Sequence, residues 1–308
     1  MNRVGGWLLC CVGPVAGSVA CSPGPDAAPV DDLRVAIESR MAQTGAEYGI
    51  AYRDPGTGVE LLINPDEEFH AASMMKVPVM VRLYRMAEAG SLDLDDPIEV
   101  RNEFRSIFDG SVYSLDLEED SDSTLYAAAG TSIPTRDLID LMITRSSNLA
   151  TNVLIELADP DSIAAMLELF GAGGMKVLRG VEDIPAYRNG LNNTTTARGL
   201  LELYDAMGSG RAAGPEATGE MLDILLRQAF NDAIPAGLPD DVPVAHKTGW
   251  ITAVDHDGGL IYPAGEQPYV LVVLTSGVED ETVTRQAAAE VSRLVWEWRK
   301  ANRTSPSD

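Results

Sequence analysis

The sequence predicts an α+β fold in which strands from the two chain ends form one antiparallel sheet, flanked by helices, with an all-helical subdomain inserted between them. Two observations support this prediction. Strand-like segments bounded by turn residues occur near the start of the chain and again only near its end. Between them, apolar residues are spaced by three and four positions over most of the chain, which is typical of helices.

The predicted sheet begins directly after an initial helix. This helix is expected from about Asp32 to Gln43, with Asp31 as its cap, and four of its apolar residues can face a core: Leu33, Val35, Ile37 and Met41. Two strand-like runs follow, Glu47 to Arg53 and Val59 to Asn64. The residues between them, Asp54 to Gly58, predict a hairpin turn.

The middle of the chain is mostly helical, and strands return only at its end. Apolar spacing predicts helices at Met74 to Ala89, Thr135 to Thr144, Asn148 to Ala158, Asp161 to Phe170, Thr196 to Met207 and Ala217 to Gln228. The last predicted elements are strands at Pro243 to Lys247, Gly259 to Tyr262 and Tyr269 to Leu274, and a helix from about Glu281 to Ala301.

Length and composition indicate a globular chain with a sizeable core. Of the 308 residues, 45% are hydrophobic and 23% are charged, which argues against a disordered or multi-span membrane protein. Lys and Arg number 23 against 47 Asp and Glu, so the formal net charge is −24. A surface so acidic repels phosphate backbones, and nucleic-acid binding is therefore not expected.

The first 20 residues have the pattern of a secretory signal peptide. Arg3 precedes an apolar run, residues 4–20, that glycines and a proline interrupt. The segment from Ser18 to Cys21 resembles a bacterial lipoprotein signal, whose cysteine is lipidated after cleavage. We therefore expect an exported protein, periplasmic or at the cell surface, joined to a membrane only through a lipid on Cys21. Cleavage without lipidation and a merely buried Cys21 are the alternatives.

The remaining chain divides into a tether, one folded domain and a tail. All three cysteines lie within the first 21 residues, so the folded domain is expected to have neither disulfides nor a thiolate metal site. Prolines at positions 23, 25 and 29 predict a flexible tether. The expected bounds are 21–31 for the tether, 32–301 for the domain and 302–308 for a disordered tail. Within the domain, the α/β part is expected at about 32–90 and 210–301, and the helical part at about 91–209.

Metal and other cofactor sites are not expected. Five carboxylates lie between Asp116 and Asp122, but this segment lacks the glycine turn and the closing glutamate of a hand-type calcium site. A solvated acidic loop is the better interpretation. His70, His246 and His256 are too far apart in sequence to form a local ligand set.

A serine and a lysine lie three positions apart at the start of the second predicted helix. In Ser73-Met74-Met75-Lys76 the hydroxyl and the amine share one helix face. A helix N-terminus stabilises developing negative charge, and a partly buried amine can take the serine proton, which would activate a weak nucleophile. A capping serine beside an exposed lysine is the alternative, since about 0.25 matches to Ser-x-x-Lys are expected by chance.

A Lys-Thr-Gly motif at residues 247–249 is far more specific, with about 0.02 matches expected by chance. It ends a predicted strand, where its ammonium and hydroxyl groups suit a substrate carboxylate and glycine allows close backbone approach. A Ser-x-Asn motif at residues 146–148 lies between two predicted helices and is weak alone, with about 0.6 chance matches. Together, the three motifs are expected by chance at about 0.003.

These motifs, in this order, resemble those of the penicillin-recognising serine enzymes, the class A β-lactamases and penicillin-binding proteins. Other segments are also similar to class A sequences: Met142-Ile143, Asn148-Leu149-Ala150-Thr151-Asn152, Thr194-Thr195-Thr196 and Ile234-Pro235-Ala236-Gly237-Leu238-Pro239. The resemblance covers about residues 32–301. It implies a fold of the serine β-lactamase and D,D-peptidase type.

The resemblance also implies a role for each motif residue. Ser73 would attack a lactam or peptide carbonyl, Lys76 would help to deprotonate it, and Ser146 would pass a proton to the leaving nitrogen. Asn148 would contact the amide of the substrate. Lys247 and Thr248, beside Gly249, would bind the substrate carboxylate. The backbone N–H groups of Ser73 and Trp250 would stabilise the oxyanion.

The chain departs from the family pattern at two of these positions. Trp250 stands where a small residue is usual, which is expected to narrow the choice of substrate. Ser147 replaces an aspartate, which is expected to reduce the rigidity of its loop.

Glu182, 36 residues beyond Ser146, is the candidate base that activates water for deacylation. Pro185 and Ala186 occupy places where the family signature has Leu and Asn. The hydrolytic water would therefore need another partner, for which the candidates are Asn189, Asn192 and Asn193. The alternative is that Glu182 and Asp183 form a structural ion pair with Arg179.

Three functions follow from these observations, and the first is favoured. They are a serine β-lactamase that opens the lactam ring through an acyl-enzyme on Ser73 and hydrolyses it, a peptidoglycan D,D-peptidase or other acyl hydrolase that lactams trap, and a non-catalytic lipoprotein that binds cell-wall peptides. The expected partner is a small molecule, either a β-lactam or an acyl-D-Ala-D-Ala-like substrate, and a monomer is expected.

Overall fold

The computed structural model of the chain describes Met1 and residues 30–303. The strands are β1 (Glu47–Asp54), β2 (Val59–Ile63), β3 (Phe69–His70), β4 (Pro97–Glu99), β5 (Phe104–Arg105), β6 (Val112–Tyr113), β7 (Ser132–Pro134), β8 (Thr194–Thr195), β9 (Val244–Ile251), β10 (Val254–Ile261) and β11 (Tyr269–Ser276). The helices are α1 (Val30–Ala42), α2 (Lys76–Glu88), α3 (Thr135–Thr144), α4 (Asn148–Ala158), α5 (Pro160–Phe170), α6 (Ile184–Arg188), α7 (Ala197–Gly208), α8 (Pro215–Leu225) and α9 (Glu281–Arg303). Short 3₁₀ helices lie at Ala72–Met75, Thr124–Ala128 and Pro235–Gly237.

Five strands form one antiparallel sheet in the order β2-β1-β11-β10-β9. The two chain ends meet at its centre, where β1 pairs with β11 and Ile50 lies opposite Val273. The predicted α+β fold, with a sheet built from both ends of the chain, is therefore confirmed. Strand β9, which carries residues 247–249, lies at the edge of the sheet and leaves one side free to face the site.

Both faces of the sheet are covered, as the alternation along β11 shows. Val270 and Val272 point into the larger core, which includes buried residues of α2 and α7. Leu271 and Val273 point to the opposite face, into a second core that α1 and α9 close. Side chains alternate between the two faces of a strand, so a single run of apolar residues supplies both cores.

Several predicted bounds differ from the structure. Helix α1 begins at Val30, so Asp31 lies in its first turn and does not cap it. Val35 is 64% exposed, because the buried stripe of α1 consists of Leu33, Ile37 and Met41 alone. At the other end of the chain, α9 continues to Arg303. Helix α7, within the expected helical part, packs on β1 and β11 and so covers the sheet.

The predictions about the N-terminal segment concern residues that the structure does not describe. The signal peptide after Met1, Cys21 and the tether up to residue 29 lie outside the described residues, as does the tail after residue 303. Within residues 30–303, no helix combines the length and the apolar composition that crossing a membrane requires.

Candidate active site

The serine of the first motif lies at the junction between a short 3₁₀ helix and α2. Ser73 belongs to the 3₁₀ helix Ala72–Met75, and the α-helix itself begins at Lys76. The predicted helix start is thus confirmed with a tighter first turn. Ala72 adopts a φ of +44°, which is unusual for a residue with a side chain. Backbone strain of this kind is concentrated at functional sites, where the surrounding structure holds it.

Ser146 brings the three motifs together. Its hydroxyl donates to Ser73 Oγ at 2.8 Å and accepts from Lys76 Nζ at 3.2 Å and from Lys247 Nζ at 3.1 Å. The residue lies in the turn between α3 and α4, with a φ of +57° and 1% exposure. Residues from three distant parts of the chain are therefore joined through a single side-chain oxygen.

Lys76 is fully buried, in contrast to the alternative of an exposed lysine. Besides Ser146 Oγ, its amine donates to the Ser146 carbonyl at 2.6 Å and to Asn148 Oδ1 at 2.9 Å. Burial lowers the pKa of Lys76 to about 7, although the negative charge of Asp120 opposes this shift. A substantial fraction of the amine is therefore neutral near pH 7 and able to accept a proton. Among the described hydrogen bonds, those of Lys76 reach Ser73 only through Ser146 Oγ.

The Lys-Thr-Gly motif lies on β9 directly beside the nucleophile. Lys247 is fully buried, and its pKa is well below the usual value because of burial and the neighbouring Lys76 charge. Thr248 Oγ1 is buried without a hydrogen-bond partner in the described structure, as expected of a hydroxyl that binds a ligand. A Cβ on Gly249 would lie 2.9 Å from the Ser73 amide nitrogen. The close backbone approach predicted for this glycine is thus confirmed.

Trp250 follows on the same strand and is held by two neighbours. Its ring contacts Phe230 edge-on, with the ring centroids 4.8 Å apart, and the Arg285 guanidinium lies 5.5 Å from its centroid. Together with Thr248, these residues line a small cavity of about 190 Å³. The indole thus lies at the end of the site where the Lys-Thr-Gly motif is located.

Sequence reasoning missed the contribution of Asp120. Its carboxylate accepts from the backbone N–H groups of Asn148 and Leu149, at 2.9 to 3.0 Å, and from the Tyr126 hydroxyl at 3.0 Å. A carboxylate at a helix N-terminus is favourable, and here it holds the first turn of α4. The lower rigidity expected at Ser147 stays a prediction; the described bonds that oppose it are the cap from Ser147 to Ala150 N–H and the two N–H groups bound by Asp120.

The segment that carries Glu182 is fixed to α4 by one side chain. Asn152 accepts from Val181 N–H at 2.6 Å and donates to the Val181 carbonyl at 2.9 Å. Glu182 itself has a φ of +60°. One of its carboxylate oxygens, Oε2, accepts from Asp116 N–H at 3.0 Å, and the other, Oε1, is buried without a partner. Burial raises the pKa of Glu182, with a smaller contribution from nearby acidic residues.

The alternative structural ion pair at Arg179 is not present among the salt bridges of the described residues, which include no pair between Arg179 and Glu182 or Asp183. The Asp183 carboxylate instead accepts from the Ile107 and Ala186 N–H groups.

Two of the three candidate partners of the hydrolytic water are engaged within their own loop. The Asn189 amide donates to the Pro185 carbonyl, and the Asn193 amide binds the backbone at Leu178 and Arg179.

Several of these residues line one cleft of about 760 Å³: Ser73, Ser146, Asn148, Glu182 and Trp250. The geometry thus brings Glu182 to the same cleft as the nucleophile, although no described hydrogen bond joins it to Ser73 or Lys76. Among the described residues, no group of three His, Cys, Asp or Glu side chains is arranged to hold a metal ion.

Comparison with known proteins agrees with this geometry. A family model described as "Beta-lactamase enzyme family" matches residues 32–299. The chain belongs to the beta-lactamase enzyme family. Related family members include a β-lactamase of Streptomyces albus G, 24% identical over 87% of this chain and 85% of the relative, and β-lactamase AST-1 of Nocardia asteroides, 28% identical over 90% and 89%.

Solved structures of β-lactamases and of PBP-A have the same fold. PBP-A superposes with a TM-score of 0.77 at 25% identity, covering 90% of this chain and 99% of PBP-A. The β-lactamase from Sphaerobacter thermophilus DSM 20745 superposes with a TM-score of 0.75 at 27% identity, covering 90% of this chain and 98% of the other. A point mutant of PBP-A was captured as an acyl-enzyme complex with penicillin G.

We expect Gly249→Ala to slow acylation by tenfold or more. The added Cβ would meet the Ser73 and Met74 amide nitrogens and displace the nucleophile, and a displacement of about 1 Å can cost roughly 10²-fold in rate. The rate is measured with a chromogenic cephalosporin. Gly219→Ala is the matched control, because its Cβ has no heavy atom within 4 Å and lies on the exposed side of α8. Equal rates in the wild type and Gly249→Ala would show that β9 can move away without loss.

A second prediction concerns Asp120→Asn. The negative charge of Asp120 raises the pKa of Lys76, so its removal lowers that pKa and keeps the amine neutral at more acidic pH. The acid limb of the acylation rate is expected near pH 7 in the wild type, from the pKa of Lys76, and at lower pH in the variant. The pH profile is compared with that of Glu118→Gln, which removes a carboxylate from the same acidic segment. An acid limb that moves equally in both variants would contradict a specific action of Asp120.

Proposed function

We propose that the protein is a serine β-lactamase that forms an acyl-enzyme on Ser73 and hydrolyses it slowly. The observation that carries this proposal is the hydroxyl of Ser146, which contacts the nucleophile and both buried lysines. A protein that only bound cell-wall peptides would not need two buried amines on one hydroxyl, so the non-catalytic alternative is disfavoured.

Acylation uses the chain from Ser73 through Ser146 to Lys76. When Lys76 is neutral, its amine can accept from the Ser146 hydroxyl, and the Ser73 hydroxyl can then donate to Ser146 Oγ. The Ser73 proton moves along this chain to the amine while Ser73 Oγ forms a bond with the lactam carbonyl carbon. The C–N bond then breaks, and the nitrogen takes a proton from Ser146, which Lys76 replaces. Protons are thus conserved, and the product is an ester of Ser73 with an opened ring.

The substrate is held by groups that surround this chain. Asn148 Oδ1 accepts from Lys76, which leaves the Asn148 amide N–H groups for the carbonyl of the acyl side chain. The free hydroxyl of Thr248 and the Lys247 amine bind the substrate carboxylate beside Gly249. The backbone N–H groups of Ser73 and Trp250 stabilise the oxyanion. Trp250 and its Phe230 neighbour restrict the size of group accepted at this end.

Deacylation is assigned to Glu182, acting as a general base on water. Its unpartnered Oε1 supports this role, because a water molecule that needs a base also satisfies a buried acceptor. The bond from Asp116 N–H to Oε2 opposes rapid catalysis, because it lowers the basicity of the carboxylate and holds it away from the lysine chain. We therefore expect measurable but slow turnover.

A D,D-peptidase or other acyl hydrolase that lactams trap is the second candidate. The specific observation in its favour is the position of Glu182, whose described hydrogen bond is to Asp116 and not to the lysine chain. The fold similarity to PBP-A is compatible with it.

Export, a lipid on Cys21 and a monomeric state remain part of the proposal, because they concern residues or assemblies outside the described structure.

Ser73→Ala is expected to abolish covalent labelling by a β-lactam. Intact-protein mass spectrometry of the wild type should show one adduct with the mass of the lactam, and the variant should show none. Ser114→Ala, which removes an exposed serine hydroxyl near the cleft, serves as the control and should still be labelled. An adduct that persists in Ser73→Ala would place the nucleophile elsewhere.

Glu182→Gln is expected to form the acyl-enzyme normally and to lose it about 10²–10⁴-fold more slowly, because general-base help contributes a factor of that size. Stopped-flow absorbance gives the acylation step, and mass spectrometry after removal of excess lactam gives the deacylation step. Glu119→Gln, another carboxylate of the cleft, is the matched control. If the wild type gives one burst and stops, the trapped-peptidase function is favoured. If the wild type and Glu182→Gln deacylate equally fast, Glu182 is a structural residue of its loop.

A further inference from the structure

Arg179 is a buried cation that lines the catalytic cleft and has no carboxylate partner. Its side chain is 6% exposed, and no salt bridge of the described residues includes it. Nη1 donates to the Gly180 carbonyl at 3.0 Å, and Nε is buried without any hydrogen-bond partner. An ionised group in such a position is unfavourable unless an anion compensates it.

The groups around Arg179 do not supply that anion. His70 Nε2 lies 3.5 Å from Nη2, and burial lowers the pKa of His70 to about 4, so its ring is neutral at pH 7. The Tyr187 ring stacks on the guanidinium, with 5.5 Å between Cζ and the ring centroid. Asp183 attracts the cation, but its carboxylate oxygens are engaged by backbone N–H groups. Asn193, which holds the Arg179 backbone, is neutral.

We propose that Arg179, flanked by His70 and Tyr187, is a carboxylate-binding subsite, and that the enzyme prefers substrates whose acyl side chain carries a carboxylate. All three residues line the cleft that contains Ser73 and Asn148. The amide of Asn148 is the assigned contact for the acyl side chain, so the substituent beyond that amide is directed to this part of the cleft. The inference rests on the proposed function and specifies its substrate class.

The other charges of the cleft do not attract a substrate carboxylate, so the proposed preference depends on direct contact with Arg179. Six carboxylates line the cleft, Glu118, Glu119, Asp120, Glu182, Glu279 and Glu281, and Arg285 pairs with the last of them. These charges repel an anion at long range. A substrate carboxylate therefore gains only where it meets the guanidinium directly, through a charge-assisted hydrogen bond.

The test uses two isosteric penicillins that differ in charge, α-carboxybenzylpenicillin and its α-carboxamide analogue. The second-order rate constant for acylation of Ser73 is measured for each by intact-protein mass spectrometry. The wild type is expected to react roughly tenfold or more faster with the carboxylate, the factor that one hydrogen bond to a charged group supplies. In Arg179→Gln the ratio is expected to fall to near one. The ratio of the two rate constants is compared, and not each rate constant alone, because a change in loop packing affects both penicillins alike.

Arg198→Gln is the matched control and should keep the wild-type ratio, because Arg198 pairs with Asp66 on the surface. If Arg179→Gln does not fold, Arg179→Lys is measured in its place; it keeps the charge but not the planar guanidinium, so its ratio is expected to fall below that of the wild type. Equal rates for the pair in the wild type would overturn the subsite and leave the β-lactamase function intact. A ratio that persists in Arg179→Gln would assign the preference to another group. If neither penicillin labels Ser73, both the subsite and the proposed function fail.

Discussion

The active site depends on the hydrogen bonds of one hydroxyl group, that of Ser146. It accepts from two lysines that are both fully buried, and it donates to the nucleophile. Burying two amines side by side as cations is costly, and the pKa of Lys247 is lowered by burial and by the charge of Lys76. The same desolvation lowers the pKa of Lys76 to about 7, so that its amine can act as a base near neutral pH.

The surrounding structure holds this cluster from three directions. Strand β9 approaches the nucleophile closely because Gly249 has no side chain. The first turn of α4 is held by Asp120, whose negative charge also raises the pKa of Lys76. Three residues with side chains adopt positive φ at the cleft: Ala72, Ser146 and Glu182. Each such conformation costs roughly 1 to 3 kcal/mol, and its persistence indicates that neighbouring contacts determine the backbone there.

The sequence predicted those parts of the site that short motifs specify and missed those that depend on contacts distant along the chain. The three motifs and the antiparallel sheet from both chain ends follow from residue spacing and turn chemistry. Asp120 could not be inferred, because its bonds to α4 join residues 28 and 29 positions apart and no local pattern indicates them. The alternative pairing of Arg179 with Glu182 and Asp183 rests on opposite charges that are close in sequence. The backbone of this loop instead directs the Asp183 carboxylate to N–H groups and the Glu182 carboxylate to Asp116.

The attachment of the Glu182 loop connects the two halves of the reaction. Asn152 fixes the residue before Glu182 by two hydrogen bonds, and α4, which carries Asn152, also begins at the substrate-binding Asn148. The residues proposed for acylation and for deacylation are therefore attached to the same helix. Because Glu182 leaves this anchor with a positive φ, its carboxylate is directed to Asp116. The proposed acylation and deacylation residues thus depend on the same helix, while the positive φ at Glu182 determines the direction of its own carboxylate alone.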